Sequence, residues 1–254
     1  MNNTADFYDI RGNNCFEKNN LQYGIESFKP HVRTPYIYRK LQQFKSITDL
    51  KTIRLVDLCC GTATHSIALA KMGFNVVGID ISPKSIEFAR YLAKQHKVDA
   101  QTSFICEDLN NWLSNAQEKF DIAFMSGSLH YFDRNYFFTK LIEHLNCGGM
   151  FTCVETFGGN HLMNFRRKII ASLKPNFRDS ITLDGLLKYK EIVNFKQYFD
   201  HTEIRFFDFS TLIGVFLPSI IYPLQLTQKI DSVLLNTFYM RSLAWKYVFC
   251  GRIN

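Results

Sequence analysis

From residue 52 onward the chain alternates short apolar runs with stretches whose apolar positions recur at helical spacing. Residues 53–58 read as a strand and 64–72 as a helix, which Gly73 is placed to terminate. Residues 75–80 follow as a second strand rich in β-branched side chains. Ser82-Pro83 then opens a helix with an N-cap hydroxyl and a proline at the first helical position, and Ile86, Ala89, Leu92 and Ala93 form its apolar stripe. Further strands are expected at 103–106, 121–125 and 150–155, separated by helical stretches at 109–116 and 136–145. Two last strands are expected at 203–209 and 247–252. Between them lies 210–246, too long for a hairpin loop and too apolar for a linker.

Such alternation implies parallel strands with crossover helices on both faces, an open, doubly wound α/β sheet. Residues 1–50 read as a helical leader or cap, polar at first and then helically spaced over 36–44. Residues 51–254 form the main domain, with insertions at 158–200 and 210–246. Composition agrees with a folded chain: 46% of residues are hydrophobic and 21% charged. The 24 Phe suggest a deep core or an apolar pocket. The net charge of +7 attracts acidic partners without naming one, and the basic residues are dispersed, with no block that marks a nucleic-acid arm. Seven Cys without a CxxC pattern indicate neither a disulfide framework nor a metal site. Together with a polar 1–9 segment lacking a secretory signal, they make a reducing, cytoplasmic setting the expectation.

The segment that decides the chemistry is Val56-Asp57-Leu58-Cys59-Cys60-Gly61-Thr62-Ala63-Thr64. Its small residues allow a tight strand-to-helix turn with room for a ligand against the backbone. A dinucleotide fold wants G-x-G-x-x-G, and from Cys59 only Gly61 matches. Asp57 would also repel a pyrophosphate, whereas it would attract a cationic ligand.

This turn resembles motif I of the class I methyltransferases that use S-adenosylmethionine (SAM), D/E-x-G-x-G-x-G, with Cys59 and Ala63 in place of the outer glycines and Gly61 kept. The stretch Val77-Gly78-Ile79-Asp80-Ile81-Ser82 resembles motif II, and Cys106-Glu107-Asp108-Leu109 the acidic turn after strand three. Phe120–Met125 resembles motif IV, and Leu145-Asn146-Cys147-Gly148-Gly149 the L-K-P-G-G turn before strand five. The resemblance covers 54–155. It implies a Rossmann-like seven-stranded sheet with an antiparallel last strand and a helical insert between the last two strands. It also implies SAM contacts from Asp57 to the ammonium, Asp80 to the ribose and Asp108 to the adenine amino group. Cys59, Gly61, Ala63, Ile81, Leu109 and Ser126 would line the same ligand. Cys59 and Cys60 are read as packing residues, not as nucleophiles.

The acceptor is expected to be a small molecule or a lipid- or sugar-linked one, methylated at oxygen. After strand four the sequence is Ser126-Gly127-Ser128-Leu129-His130-Tyr131, without the D/N-P-P-F/Y/W or Pro-Cys signatures of nucleic-acid methylation, so no nucleic-acid partner is expected. His130 and His161 are the candidate catalytic bases. His130 reads equally as a ring packed on adenine or a helix cap, and His161, with Asn164, Arg166 and Arg167, as a solvated helix face. Glu155 ends strand five toward the same rim. Tyr8 and Arg11 are candidates for folding over the cofactor. Residues 209–228 carry no charge but include prolines and glutamines, which suits a lid or a peripheral membrane contact better than a span. The rival reading is a SAM-binding protein without transferase activity, acting at a membrane surface or in a complex. A nicotinamide-dependent dehydrogenase ranks third.

Overall fold

A computed structural model of the chain describes residues 52–173, 185–209 and 240–254, together with Asp9, Tyr36, Ile37, Lys40, Leu41, Asp231, Leu234 and Leu235. Tyr8, Arg11, most of the leader and residues 210–228 lie outside the described residues. The order of elements is β1 (Arg54–Leu58), α1 (Thr64–Lys71), β2 (Asn75–Asp80), α2 (Pro83–Gln95), β3 (Thr102–Cys106), α3 (Leu109–Asn115) and β4 (Phe120–Ser126). These are followed by α4 (Arg134–Glu143), β5 (Leu145–Thr156), α5 (His161–Leu173), α6 (Tyr189–Asn194), β6 (His201–Phe207) and β7 (Lys246–Arg252).

Two compact units divide the chain. The first comprises residues 1–126, 133–152 and 252–254; the second comprises 127–132 and 153–251. Strand β5 runs through both, and the sheet order is β3-β2-β1-β4-β5-β7-β6. In the first unit β1 pairs in parallel with β2 and β4, and β2 with β3. The register aligns Leu58 with Ile79 and Met125, and Asp80 with Cys106, so four strands end at one edge of the sheet. That edge is where an open parallel sheet binds its ligands. β7 is antiparallel to β5. The Phe157 amide donates to the Trp245 carbonyl at one end (2.8 Å), and the Ile253 amide to the Gly149 carbonyl at the other (3.0 Å).

Local signals place the elements. Ser82 caps α2 by accepting from the Ser85 amide, Pro83 opens the helix, and all four stripe residues are buried. Gly73, at φ 106, ends the α1 turn. Strand β5 begins five residues earlier than its apolar run suggests. The Gly-Gly stretch expected as a turn is extended chain, bent at Gly148 (φ 74), because a left-handed glycine can kink a strand without ending its pairing. Several phenylalanines serve the core: Phe137, Phe138 and Phe151 meet edge-to-face in the first unit, and Phe157 so meets Phe206 and Tyr247 in the second. No helix among the described residues is long and apolar enough to cross a membrane.

Candidate active site

The chain leaves β1 through residues 59–63 in an unusual backbone state. Cys59, Gly61 and Ala63 have φ of 58°, 54° and 61°, so three alternate residues are left-handed. Only glycine adopts that state freely, and Cys and Ala hold it at about 1–2 kcal/mol each. The turn is pinned by the Cys60 amide to the Ile79 carbonyl and the Ala63 amide to the Cys60 carbonyl, both 2.9 Å. A Cβ built on Gly61 would meet nothing within 4 Å, so the turn faces open space there. Burial pushes the Cys60 thiol well above its ordinary range, with Asp57 and Asp80 adding to the effect. Its sulfur stands 2.9 Å from where a Cβ on Gly78 would lie, which makes it a packing group and explains the glycine in β2.

Two acids flank this turn. Asp57 is 2% exposed and accepts a hydrogen bond from the Ser66 hydroxyl of α1 at 2.5 Å. Burial pushes its carboxyl up to about 7; the Ser66 bond opposes this and the neighbouring Asp80 adds to it. Asp80, at the end of β2, accepts from the Gly61 amide on Oδ2 (2.8 Å) and from the Ser82 amide on Oδ1 (3.0 Å). The carboxylate therefore ties the turn after β1 to the start of α2. Ile81, next to it, is a large apolar residue left 40% exposed. Asp108 caps α3 through the Asn111 amide, while Glu107 holds the Asn111 side chain. Leu109 is buried as the first residue of α3, and Ser126, the last of β4, is half-buried. From the leader, Asp9 accepts from the Ser82 hydroxyl and the Lys84 amide.

In the second unit a histidine and a glutamate come together. Glu155 accepts the Ser128 and Leu129 amides on Oε1, each at 2.8 Å. Its Oε2 lies 3.6 Å from His130 Nδ1, within ion-pair range, and the two side chains are 3% and 8% exposed. Both ring nitrogens of His130 are buried without a hydrogen-bond partner, and a catalytic role is among the few reasons a folded chain keeps such a group. Gly185 backs the histidine: a Cβ there would stand 2.7 Å from the His130 carbonyl oxygen and 3.2 Å from its Cβ. His161 is exposed at the head of α5. Its neighbour Asn160 is the buried one, accepting the Met163 amide and donating to the carbonyls of Leu243 and Ala244. Asn164 donates to the Gly158 carbonyl and accepts from Arg167, which is buried, while Arg166 is exposed.

Residues 55–149, which contain the turn and the strand-end acids, match the family model described as a methyltransferase domain. Over these residues the chain is similar to the methyltransferase domain that the family model describes. A ubiquinone biosynthesis O-methyltransferase of Sinorhizobium fredii is 34% identical over 132 residues, which are 50% of this chain and 52% of that protein. The chain spans about half the length of the curated relatives it matches at this level. Among solved structures, geranyl diphosphate C-methyltransferase from Streptomyces coelicolor A3(2) superposes with a TM-score of 0.58. It is 13% identical, with 87% of this chain and 79% of that one covered. A SAM-dependent methyltransferase from Archaeoglobus fulgidus gives 0.54 at 12% identity, over 86% and 93%. At these identities both show the fold alone.

Within the matched stretch and the strand that follows it, the expected cofactor residues fall at the first unit's strand ends. The outer positions of the turn, Cys59 and Ala63, share the left-handed backbone of Gly61 between them. Sequence reasoning missed three features. Ser66 as the partner of Asp57 was signalled only by a hydroxyl one turn into α1. The Glu155–His130 pair was signalled only by an acid ending an apolar strand. Gly185 gave no signal of its own.

Proposed function

We propose that this chain is a SAM-dependent methyltransferase that binds SAM in its first unit and methylates oxygen on a small-molecule or lipid-linked acceptor. The residues present fit the cofactor. Gly61 offers an open backbone surface, Asp80 ends β2 beside it as an acid suited to ribose hydroxyls, and exposed Ile81 offers an apolar face to an adenine. Asp108 would take the adenine amino group, and Asp57 the ammonium, whose positive charge offsets the cost of an ionised buried carboxylate. SAM, when bound, supplies an electrophilic methyl group on a sulfonium.

The observation that carries the oxygen assignment is the His130–Glu155 pair. An acceptor hydroxyl must lose its proton as the O–CH₃ bond forms, and a neutral imidazole suits that task near neutral pH. Glu155, positioned by two amides on Oε1, turns its other oxygen toward Nδ1 and so leaves Nε2 to take the proton. The 3.6 Å separation is beyond hydrogen-bond length, and such contacts tighten in substrate complexes. Alignment of the acceptor with the methyl group supplies much of the acceleration. The relatives named ubiquinone biosynthesis O-methyltransferases support the same choice of atom. His161, exposed, is the weaker candidate for the base.

Incubation with methyl-labelled SAM and a panel of phenolic, sugar and lipid-linked hydroxyl acceptors tests the reading. Labelled ether product is expected, with kcat reduced about 10²–10⁴-fold in His130→Ala and little changed in His161→Ala. Label appearing on nitrogen or carbon, or full activity in His130→Ala, would contradict it.

A further inference from the structure

Helix α5 carries an apolar edge that is exposed along its whole length. Leu162, Phe165, Ile169 and Leu173 are 65%, 67%, 44% and 75% exposed. At about 100° per residue these four side chains fall within an arc of about 80°. Met163 and Arg167, both buried, mark the opposite side. Arg166 and Lys168 are exposed on the two margins of the apolar arc, and among the described residues neither enters an ion pair. The sequence from 156 to 178 contains no Asp or Glu.

We propose that this face of α5 lies on an anionic lipid bilayer. Leu162, Phe165, Ile169 and Leu173 would enter the boundary between headgroups and acyl chains, with Arg166 and Lys168 against headgroup phosphates. Charge decides the occupant. A second copy docked face to face would set Arg166 and Lys168 against their own like charges, with no acid on the helix to relieve them. Anionic headgroups neutralise both. The 13 residues of α5 are too few to span a bilayer, so the helix lies in the plane of the surface. This contact is separate from the methyl-transfer reading, since it needs neither cofactor nor acceptor.

Co-sedimentation of the full chain with vesicles tests it. The chain is expected to bind an equal mix of phosphatidylcholine and phosphatidylglycerol roughly tenfold or more tightly than phosphatidylcholine alone, and less tightly as salt rises. Arg166→Gln with Lys168→Gln should weaken that binding about fivefold per cation removed. Phe165→Glu with Leu173→Glu should abolish it while leaving the melting temperature unchanged, because both positions are exposed. Failure of the wild-type chain to sediment, equal binding to neutral vesicles, or full binding by the Phe165→Glu/Leu173→Glu chain would overturn the proposal. So would a dimer by light scattering that Phe165→Glu converts to monomer, which would assign the face to a second copy.

Discussion

Left-handed backbone at Cys59 and Ala63 makes Gly61, between them, the residue on which the cradle turns. Gly61→Ala has room for its methyl, so its effect on folding is confined to the backbone angle, about 1–2 kcal/mol. The methyl would occupy the surface left open for the cofactor, and calorimetry should show affinity for S-adenosylhomocysteine lowered roughly tenfold or more. Unchanged affinity would contradict the assignment. Asp57 gives a pH dependence. Its carboxyl sits at about 7 in the fold against an ordinary value of 3.8, so the folded state holds the proton more tightly. Its contribution to the stability of the ligand-free chain is complete below about pH 4 and is lost as pH rises through about 7, on the order of 4 kcal/mol in all. Asp57→Asn should remove that slope in urea unfolding and stabilise the ligand-free chain at about pH 8, while weakening SAM binding there. A slope unaltered by the substitution would show that another group sets it. The residues of this turn are legible in sequence because strand, turn and helix are contiguous. What Asp57 experiences is not, since its pKa depends on burial and on Asp80, which lies on the neighbouring strand.

Elements bring together what sequence spacing keeps apart. Glu155 ends β5 and His130 follows β4, and only the folding of the 127–132 segment against the end of β5 makes them a pair. Glu155→Gln preserves an acceptor for the Ser128 and Leu129 amides and removes the negative charge beside the imidazole. It is expected to lower kcat about 10–100-fold, with KM for SAM little changed. A loss confined to KM, or an unchanged kcat, would make Glu155 a structural group only. The same scale explains where boundaries were misread. Strand β5 starts at Leu145 because pairing tolerates the bend at Gly148, whereas its apolar run begins only at Met150. By contrast, the start and the buried stripe of α2 were legible, since Ser82 and Pro83 act on the helix they begin.

At the scale of the molecule, a ligand that binds only the folded chain raises its stability. S-adenosylhomocysteine at about a hundred times its Kd adds about 2.7 kcal/mol. For a chain of this size that raises the melting temperature by roughly 5–10 °C. NAD at the same concentration is expected to leave it unchanged, and an equal rise with NAD would reverse the reading of the turn. Composition left a deep core and an apolar pocket both open, and Phe137, Phe138 and Phe151 pack on one another in the core. The acceptor was not legible, because it depends on side chains gathered from distant segments. The clamp on Asp80 carries a last consequence. Two main-chain amides fix this carboxylate before any nucleoside arrives, so its rotational freedom is surrendered during folding and not at the moment of capture. In the proposed binding mode a nucleoside meets a rigid template, and selection among adenosyl compounds falls to whatever projects beyond the ribose.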